Sequence, residues 1–409
     1  MLFYKALYGF KLSKYRLACA ITWSCISSFY KTHQRKDLDF SKIRSILLLR
    51  NDGIGDMVIT TPVIRALTQH GYCVSVMSQK GSLEVIKNNP YVAETFIWND
   101  KCSKKERAIL EKEVRARQFD LVIDMRYPVF FAYNPDLNSL CHRFDAYYTM
   151  GWNKSRMPYD VSINHYMPEE HITSLNQKFL EALGIHNADC QYELFVSSEA
   201  KQKAQEFIQT LHTKHFSPIV VINPYSGSYR RDMTEEQIKG TIQLLQAKYL
   251  QTVFVVIGIE ERIKILVEKL NLPNVTFYAS ANILEVAPLI QLADLVISPD
   301  TSIVHIAAVY QKKLVALYAS DRIKTLELTS PKNMIKANYH FQASYERTVF
   351  FDKPNVVNKV RPPDANPLVE YAFAPNNPNA TQLIDYQKNL KNIPAQEIAD
   401  AAVKLLSKK

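Results

Sequence analysis

Short apolar segments alternate with helical segments in two successive series along this chain, and this double alternation constrains the fold most strongly. The first series predicts strands at 45–50, 72–77, 93–98 and 119–124. The second series predicts strands at 218–222, 252–257, 275–278, 294–298 and 313–317. Continuous apolar runs of this length are typical of parallel strands that helices cover on both faces. The sequence therefore predicts an α/β protein with two parallel-sheet units in tandem.

The spacing of the two series predicts the domain boundaries. We expect an N-terminal unit over 44–190, a linker over 191–216, a C-terminal unit over 217–393 and a closing helix over 394–409. The last part of the C-terminal unit is predicted to be rich in loops, since 8 of the 19 prolines lie in the final 79 residues. Parallel sheets of this kind bind ligands at the carboxyl ends of their strands, so we expect sites just after strands, in a cleft between the units.

The net charge of +10 is concentrated at the N-terminus. Residues 1–44 contain nine Lys/Arg and two acidic residues, which leaves the rest of the chain nearly balanced. This disfavours a nucleic-acid binder, which more often carries a basic stripe across its folded domain. Aromatic residues interleave with the basic ones over 1–43, so we expect an amphipathic helical extension. It can lie on an anionic membrane surface, or pack on the body of the protein with its basic face exposed.

The six cysteines are scattered and form no C-x-x-C pair, so neither a disulfide framework nor a zinc site is expected. No run of 18 apolar residues is present, so the sequence predicts no transmembrane helix.

A turn rich in glycine and aspartate follows the first predicted strand. Gly53 and Gly55 allow a tight turn and close approach of a ligand to the backbone. The third glycine of a dinucleotide-binding fingerprint is replaced by Val58, and no Walker lysine follows. Two residues, Asp52 and Asp56, are candidates for a carboxylate held at the cleft. The alternative is that Asp56 only caps the following helix.

A loop with small hydroxyl residues and two arginines follows the strand at 218–222. It contains Ser226, Arg230 and Arg231. Hydroxyl groups, backbone amides and guanidinium groups all donate hydrogen bonds to phosphate oxygens, so this loop is a candidate phosphate site. The alternative is a solvated turn with two surface arginines.

A third turn follows the strand at 294–298 and starts a helix. Thr301 and Ser302 lie at the helix start, where free backbone amides favour an anion. Asp300 would repel a phosphate, so we expect it to hold the turn or a ribose hydroxyl. His305 lies one turn into the helix, where a lone histidine is more often structural than catalytic.

The order and spacing of these three segments resemble glycosyltransferase family 9, the ADP-heptose:lipopolysaccharide heptosyltransferases of Gram-negative bacteria. The resemblance extends over about residues 44–320. Its matching residues are Gly55-Asp56 with Thr61-Pro62, Asn223-Pro224, and Asp300-Thr301 with His305, Ala307 and Ala308. The resemblance implies the GT-B fold, in which two Rossmann-like domains face a central cleft.

The resemblance also implies roles for individual residues. Asp56 matches the proposed general base that deprotonates the acceptor hydroxyl. Arg231 matches a phosphate-binding lysine, with Arg230 as the rival register, and Ser302 stands where the family usually has glycine. The residues implied to bind the donor are Ser226, Arg230, Arg231, Asp300, Thr301, Ser302 and His305.

The implied reaction is an inverting sugar transfer from a nucleotide sugar, most simply ADP-heptose, to a lipid-linked lipopolysaccharide core acceptor. Another donor, such as a nucleotide-linked N-acetylhexosamine, stays open as an alternative. No cofactor, metal ion or nucleic-acid partner is expected. The expected location is cytoplasmic, on the inner face of the cytoplasmic membrane. Two other hypotheses are an NAD(P)-dependent oxidoreductase with a Rossmann fold, and a catalytically inactive binding protein.

Overall fold

Two six-stranded parallel sheets form the frame of the protein in its computed structural model. The structure describes residues 36–50, 53–99, 101–126, 141–152, 159–163, 171–212, 217–319, 373–385 and 389–408. Most of the N-terminal extension, and most of the tail predicted to be rich in loops, lie outside these residues.

The first sheet has the strand order β3-β2-β1-β4-β5-β6. Its strands are β1 (Ser45–Leu49), β2 (Cys73–Ser78), β3 (Glu94–Ile97), β4 (Leu121–Asp124), β5 (Tyr148–Trp152) and β6 (Val161–Ile163). Its helices are α1 (Ile54–Gln69), α2 (Lys80–Leu83), α3 (Lys104–Arg115) and α4 (Ile172–Glu181). Both faces are covered, because Ile46 and Leu48 of β1 enter one apolar cluster while Leu47 and Leu49 enter another. This explains the unbroken apolar run of β1.

The second sheet repeats the same order as β9-β8-β7-β10-β11-β12. Its strands are β7 (Ile219–Ile222), β8 (Val253–Val256), β9 (Val275–Phe277), β10 (Leu295–Pro299), β11 (Leu314–Ala319) and β12 (Ala380–Asp385). Its helices are α5 (Ser198–His212), α6 (Glu235–Lys248), α7 (Glu260–Leu270), α8 (Ile283–Leu292), α9 (Ser302–Val309) and α10 (Ala395–Leu406). The prediction of two tandem Rossmann-like units is confirmed.

The nine strands predicted from the sequence coincide with strands of the structure, but three strands were not predicted. β5 contains Thr149, Gly151 and two aromatic residues, so it does not read as an apolar run although all five residues are buried. β6 has three residues, and β12 is a half-buried edge strand with polar residues. These three strands lack the continuous apolar run by which the other strands were predicted.

The segment expected to be a linker over 191–216 contains the helix α5. Ala200, Ala204, Ile208 and Leu211 are buried and recur at helical spacing, and charged residues lie between them. The apolar stripe of α5 packs on α8, and Lys203 of α5 pairs with Glu285 of α8 at 2.6 Å. This stripe is narrow and partly made of alanine, so the segment reads as polar in the sequence.

The N-terminal unit begins before residue 44, within the segment predicted as extension. The Lys36 backbone N–H donates to Asp160 Oδ1 at 3.0 Å, and Lys36 Nζ donates to the Tyr147 carbonyl at 2.8 Å. Ile43 is fully buried in the core of this unit. The boundary of the folded unit therefore lies at or before Lys36.

In each sheet, the strand order reverses between the first and fourth strands, at β1/β4 and at β7/β10. Loops on either side of such a reversal diverge and leave a crevice at the carboxyl ends of the strands. Arg50 follows β1 and Asn223 follows β7, while Asp124 ends β4 and Asp300 follows β10. The crevice in each unit is thus lined by polar residues.

We expect the buried ion pair at the end of β4 to matter more for stability than any surface pair. Arg126 Nε and Nη2 donate to the two carboxylate oxygens of the fully buried Asp124 at 2.7 and 2.8 Å, and Tyr159 Oη donates to Asp124 Oδ2 at 2.8 Å. Arg126→Met leaves that carboxylate buried without its cationic partner, so the free energy of unfolding in urea should fall by about 3–5 kcal/mol.

The matched control is Arg117→Met. Arg117 makes a similar bidentate pair with Glu94, at 2.9 and 2.7 Å, but both side chains are exposed. We expect the urea midpoint to change little, because exposed ion pairs contribute little. Equal losses in the two variants would contradict the assignment of stability to burial of the pair.

Candidate active site

The carboxylate of Asp56 is held at the start of α1 by two donors. The Gly53 backbone N–H donates to Asp56 Oδ2 at 2.8 Å, and Arg50 Nη2 donates to Asp56 Oδ1 at 3.1 Å. About a quarter of the Asp56 side chain is exposed. The N-cap of α1 is Gly53 rather than Asp56, which lies at the third helical position and accepts from the Gly53 backbone. The carboxylate as a whole stays accessible from the cleft.

Arg50 is a site residue that the sequence did not single out. Its side chain is almost fully buried, and its Nη1 donates to the Met125 carbonyl just after β4. Its own carbonyl accepts from the Ser78 hydroxyl at the end of β2. The sequence could have indicated Arg50 by its position directly after a buried strand, because a cation at that position lies in the crevice. Arg50 thereby ties Asp56 to three strand ends.

The N-terminus of α9 presents backbone amides to the cleft. The Thr301 hydroxyl accepts from the Ile303 backbone N–H at 3.2 Å and from Asn223 Nδ2 at 3.0 Å. Within the described residues, the amides of Thr301 and Ser302 have no hydrogen-bond acceptor. Ser302 is the first helical residue and has no positive φ, so replacing glycine here causes no backbone strain. Such a helix start favours an anion.

Arg231, rather than Arg230, reaches this helix start. Arg231 Nη1 donates to Asp300 Oδ2 at 3.1 Å. Burial raises the pKa of the Asp300 carboxyl, the Arg231 guanidinium opposes that rise, and the negative charge of Asp56 adds to it. Arg230 is exposed and lies on the ring of the neighbouring Tyr229. Of the two registers left open by the sequence, the Arg231 register places a guanidinium beside α9.

Ser226 makes its hydrogen bonds within its own loop. Its backbone N–H donates to Asp232 Oδ1 at 2.6 Å, and its hydroxyl donates to the Ser228 carbonyl at 2.8 Å. In the part of the chain that the structure describes, Ser226 makes no hydrogen bond with a residue at the start of α9. The hydrogen bonds of Ser226 therefore lie within residues 226–232 and do not join it to the other predicted donor-binding residues.

His305 lies between the two units and is only 5% exposed. Its ring makes an edge contact with Tyr192, with ring centroids 6.2 Å apart. Burial lowers the pKa of His305 to about 4, against the opposing negative charge of Asp56, so the imidazole is neutral at ordinary pH. Its place in the structure is a packed interface, which agrees with the structural interpretation of a lone histidine.

The starts of α1 and α9 meet at one point in the cleft. A Cβ added at Gly55 would lie 3.5 Å from the Ser302 Cα and 2.8 Å from His305 Cδ2. The charge of Asp56 acts on both Asp300 and His305. The structure therefore brings together the residues predicted in the first and third motifs, with Arg231 from the second. The rival carboxylate, Asp52, lies outside the described residues.

No metal-binding group is formed within the described ranges, where no three His, Cys, Asp or Glu side chains are grouped to hold an ion. Among the same residues, no helix is both long enough and apolar enough to cross a bilayer.

Two Rossmann-like units that meet at a cleft, with the Asp56 carboxylate on one side and the start of α9 on the other, form an architecture of the GT-B type. The profile of glycosyltransferase family 9 (heptosyltransferase) matches residues 107–353, and the chain therefore belongs to this family. The match includes Ser226, Arg231 and His305 but begins after Asp56. It selects a glycosyltransferase over the nicotinamide-dependent oxidoreductase considered from the sequence.

Individual relatives agree with this assignment. A protein of Escherichia coli (strain K12), provisionally named lipopolysaccharide heptosyltransferase 4, is 24% identical over 318 residues, which cover 73% of this chain and 85% of that protein. The crystal structure of a family 9 glycosyltransferase from Veillonella parvula superposes with a TM-score of 0.66 at 17% identity, covering 92% of this chain and 99% of that one. The structure of the E. coli heptosyltransferase WaaC with ADP-2-deoxy-2-fluoro heptose superposes with a TM-score of 0.59 at 15% identity, covering 88% of this chain and 99% of that one. The structural likeness shows the shared fold.

The buried neutral state of His305 predicts a loss of stability in acid. In the unfolded chain a histidine binds a proton below about pH 6.5, whereas His305 in the folded protein does so only near pH 4. The unfolded state therefore binds more protons in this window, and stability falls as the pH drops through it, by up to about 3 kcal/mol.

His305→Gln removes this titration. Between about pH 7 and about pH 4.5, the free energy of unfolding in urea should fall less for the variant than for the wild type. Parallel pH dependences would show that His305 is protonated equally in both states, which would contradict its burial.

Proposed function

We propose that this glycosyltransferase moves a heptose from ADP-heptose to a lipopolysaccharide core acceptor, with inversion at the anomeric carbon. The observation that carries the proposal is the meeting of the two helix starts in one cleft. A carboxylate, Asp56, lies on the α1 side, and an anion site with Arg231 lies on the α9 side.

Asp56 supplies the base in this proposal. An inverting transfer needs one group that accepts the proton of the attacking hydroxyl, and it needs no protein nucleophile. The acceptor oxygen bonds to the anomeric carbon, the bond from that carbon to the diphosphate oxygen breaks, and the proton passes to Asp56. Arg50 and the Gly53 amide fix the carboxylate in place, while its partial exposure leaves room for the hydroxyl.

The second unit supplies the binding site for the leaving diphosphate. The free amides of Thr301 and Ser302 and the guanidinium of Arg231 are donors that face the negative charge as it develops. Asp300 pairs with Arg231 at 3.1 Å. An incoming diphosphate competes for the same guanidinium, so Asp300 is then available for a hydroxyl of the donor.

The donor and acceptor are proposed from the family and its relatives. The family is described as heptosyltransferase, and the E. coli relative is named for transfer to lipopolysaccharide. The solved E. coli enzyme with an ADP-heptose analogue supplies the nucleotide. The reaction is proposed to need neither a cofactor nor a metal ion, because Arg231 and the helix amides meet the charge of the leaving group.

The test separates donor binding from transfer. ADP should raise the thermal midpoint of the wild type, and UDP and NADH should not. Asp56→Asn should keep this shift and lose about 10²–10⁴-fold in the rate of heptose transfer, because an amide cannot accept the proton of the attacking hydroxyl. Arg231→Met should weaken ADP binding by about tenfold or more, because a charge-assisted hydrogen bond is lost.

Arg230→Met is the matched control, since it removes the neighbouring guanidinium without touching α9. Its ADP affinity should stay close to that of the wild type. Transfer should also persist in EDTA. A preference for UDP would contradict the heptose donor but leave a transferase of another sugar, such as an N-acetylhexosamine. Full transfer activity in Asp56→Asn would contradict the assignment of the base.

The proposal extends to the membrane surface through residues 1–35. This segment contains six Lys/Arg and no acidic residue, interleaved with aromatic residues. Basic residues favour anionic headgroups, and aromatic rings favour the interface. The segment is proposed to hold the enzyme on the cytoplasmic face of the membrane, where its lipid-linked acceptor is exposed.

A variant that begins at Lys36 tests this extension, because the contacts of the folded unit start there. We expect it to lose binding to vesicles containing phosphatidylglycerol while keeping the thermal shift with ADP. Vesicles of phosphatidylcholine alone serve as the control. Unchanged binding to the anionic vesicles would contradict a membrane role for the segment.

A further inference from the structure

Gly55 is a glycine for steric rather than conformational reasons. Gly71, Gly184 and Gly258 have positive φ values, whereas Gly55 does not, so its backbone suits any residue. A Cβ at Gly55 would, however, lie 2.8 Å from His305 Cδ2, closer than Cβ atoms approach other atoms in proteins. The bare Cα at position 55 is therefore what allows the imidazole to come this close.

The imidazole of His305 is held from its other side as well. Tyr192 makes an edge contact with it at an interplanar angle of 70°. Tyr192 lies in the segment that connects the units, and this segment is fixed to both of them. The Gln191 side-chain amide donates to the Ala308 carbonyl of α9 at 3.2 Å, and the Glu193 backbone N–H donates to the Thr61 hydroxyl of α1 at 3.1 Å. The His305 ring is thus packed between α1 and the connecting segment.

Hydrogen bonds do not explain the position of the His305 ring. His305 Nδ1 is buried and, among the described residues, has no hydrogen-bond partner. The ring is neutral, so it forms no ion pair with Asp56. What the ring contributes is volume. It sets how closely the start of α9 approaches the start of α1.

We propose that His305 is a positioning residue whose ring, seated on the bare Cα of Gly55, sets the distance between Asp56 and the donor site at Ser302. Asp56 is the next residue along α1, and Ser302 lies one turn before His305 on α9. Any change in the Gly55–His305 contact therefore moves the base relative to the diphosphate site. The inference rests on the proposed function, in which these two groups act on one reaction.

Complementary substitutions test the contact. Gly55→Ala should lower ADP affinity far less than kcat, because the donors of the second unit, Thr301, Ser302 and Arg231, are unchanged. Its kcat for transfer should fall by about 10²-fold, since a shift near 1 Å in the reacting groups has an effect of this size. The KM for the donor should change little. Alanine is itself a better helix former than glycine, so α1 is not weakened locally.

The double variant decides between a contact and two independent effects. His305→Ala empties the space that the new methyl group needs. Gly55→Ala/His305→Ala should therefore transfer at least about tenfold faster than Gly55→Ala alone, although His305→Ala by itself is slower than the wild type. If the loss of kcat in the double variant equals the product of the losses in the two single variants, the proposal is overturned, because independent sites give additive free energies. Wild-type kcat in Gly55→Ala would also overturn it.

Gly81→Ala is the matched control, because a Cβ there meets no atom within 4 Å and its φ is not positive. Its kcat should equal that of the wild type. If Gly55→Ala does not fold, the thermal midpoint carries the test: His305→Ala must restore folding to the double variant, and failure to do so overturns the contact. Absence of transfer by the wild type with any donor would instead contradict the proposed function, and the additivity of thermal midpoints would still report on the contact.

Discussion

The close approach of two helix starts, α1 and α9, is the constraint on which the site depends. Each helix start carries partial positive charge, so bringing two of them together is unfavourable unless anions lie between them. Asp56 is one such anion, and a donor diphosphate would be a second. Gly55 allows the approach because it has no side chain, and the ring of His305 limits it. The proposed chemistry and the packing of the two units therefore depend on the same contact, between Gly55 and His305.

The two units share one topology but contribute different groups. Each sheet reverses its strand order at the same place, and at each reversal an arginine pairs with an aspartate, Arg50 with Asp56 and Arg231 with Asp300. Arg50 is buried, and it fixes its carboxylate to the strand ends. Arg231 is partly exposed. In the proposed function, this difference in exposure gives a fixed base on one side and an anion site that can exchange its carboxylate for a phosphate on the other.

The sequence predicts strands that are aliphatic runs better than strands that carry polar or aromatic residues. Central strands such as Ile219–Ile222 are continuous aliphatic runs, whereas Tyr148–Trp152 and Ala380–Asp385 carry polar or aromatic residues and were not predicted. The three turn motifs were found because glycine, hydroxyl or charged residues directly follow predicted strands. Arg50 was not found, since burial of a guanidinium depends on strands distant in the sequence. The contact between Gly55 and His305 was not predicted either, because it joins residues 250 positions apart.

Hydrogen exchange on the donor complex tests most directly whether the diphosphate binds where α1 and α9 meet. Amides of residues 53–57 and of residues 300–304 would be followed with and without ADP. Binding between the two helix starts predicts slower exchange in both segments at once. Protection of residues 300–304 alone would place the nucleotide in the second unit without contact to α1. Protection of neither segment would contradict the site.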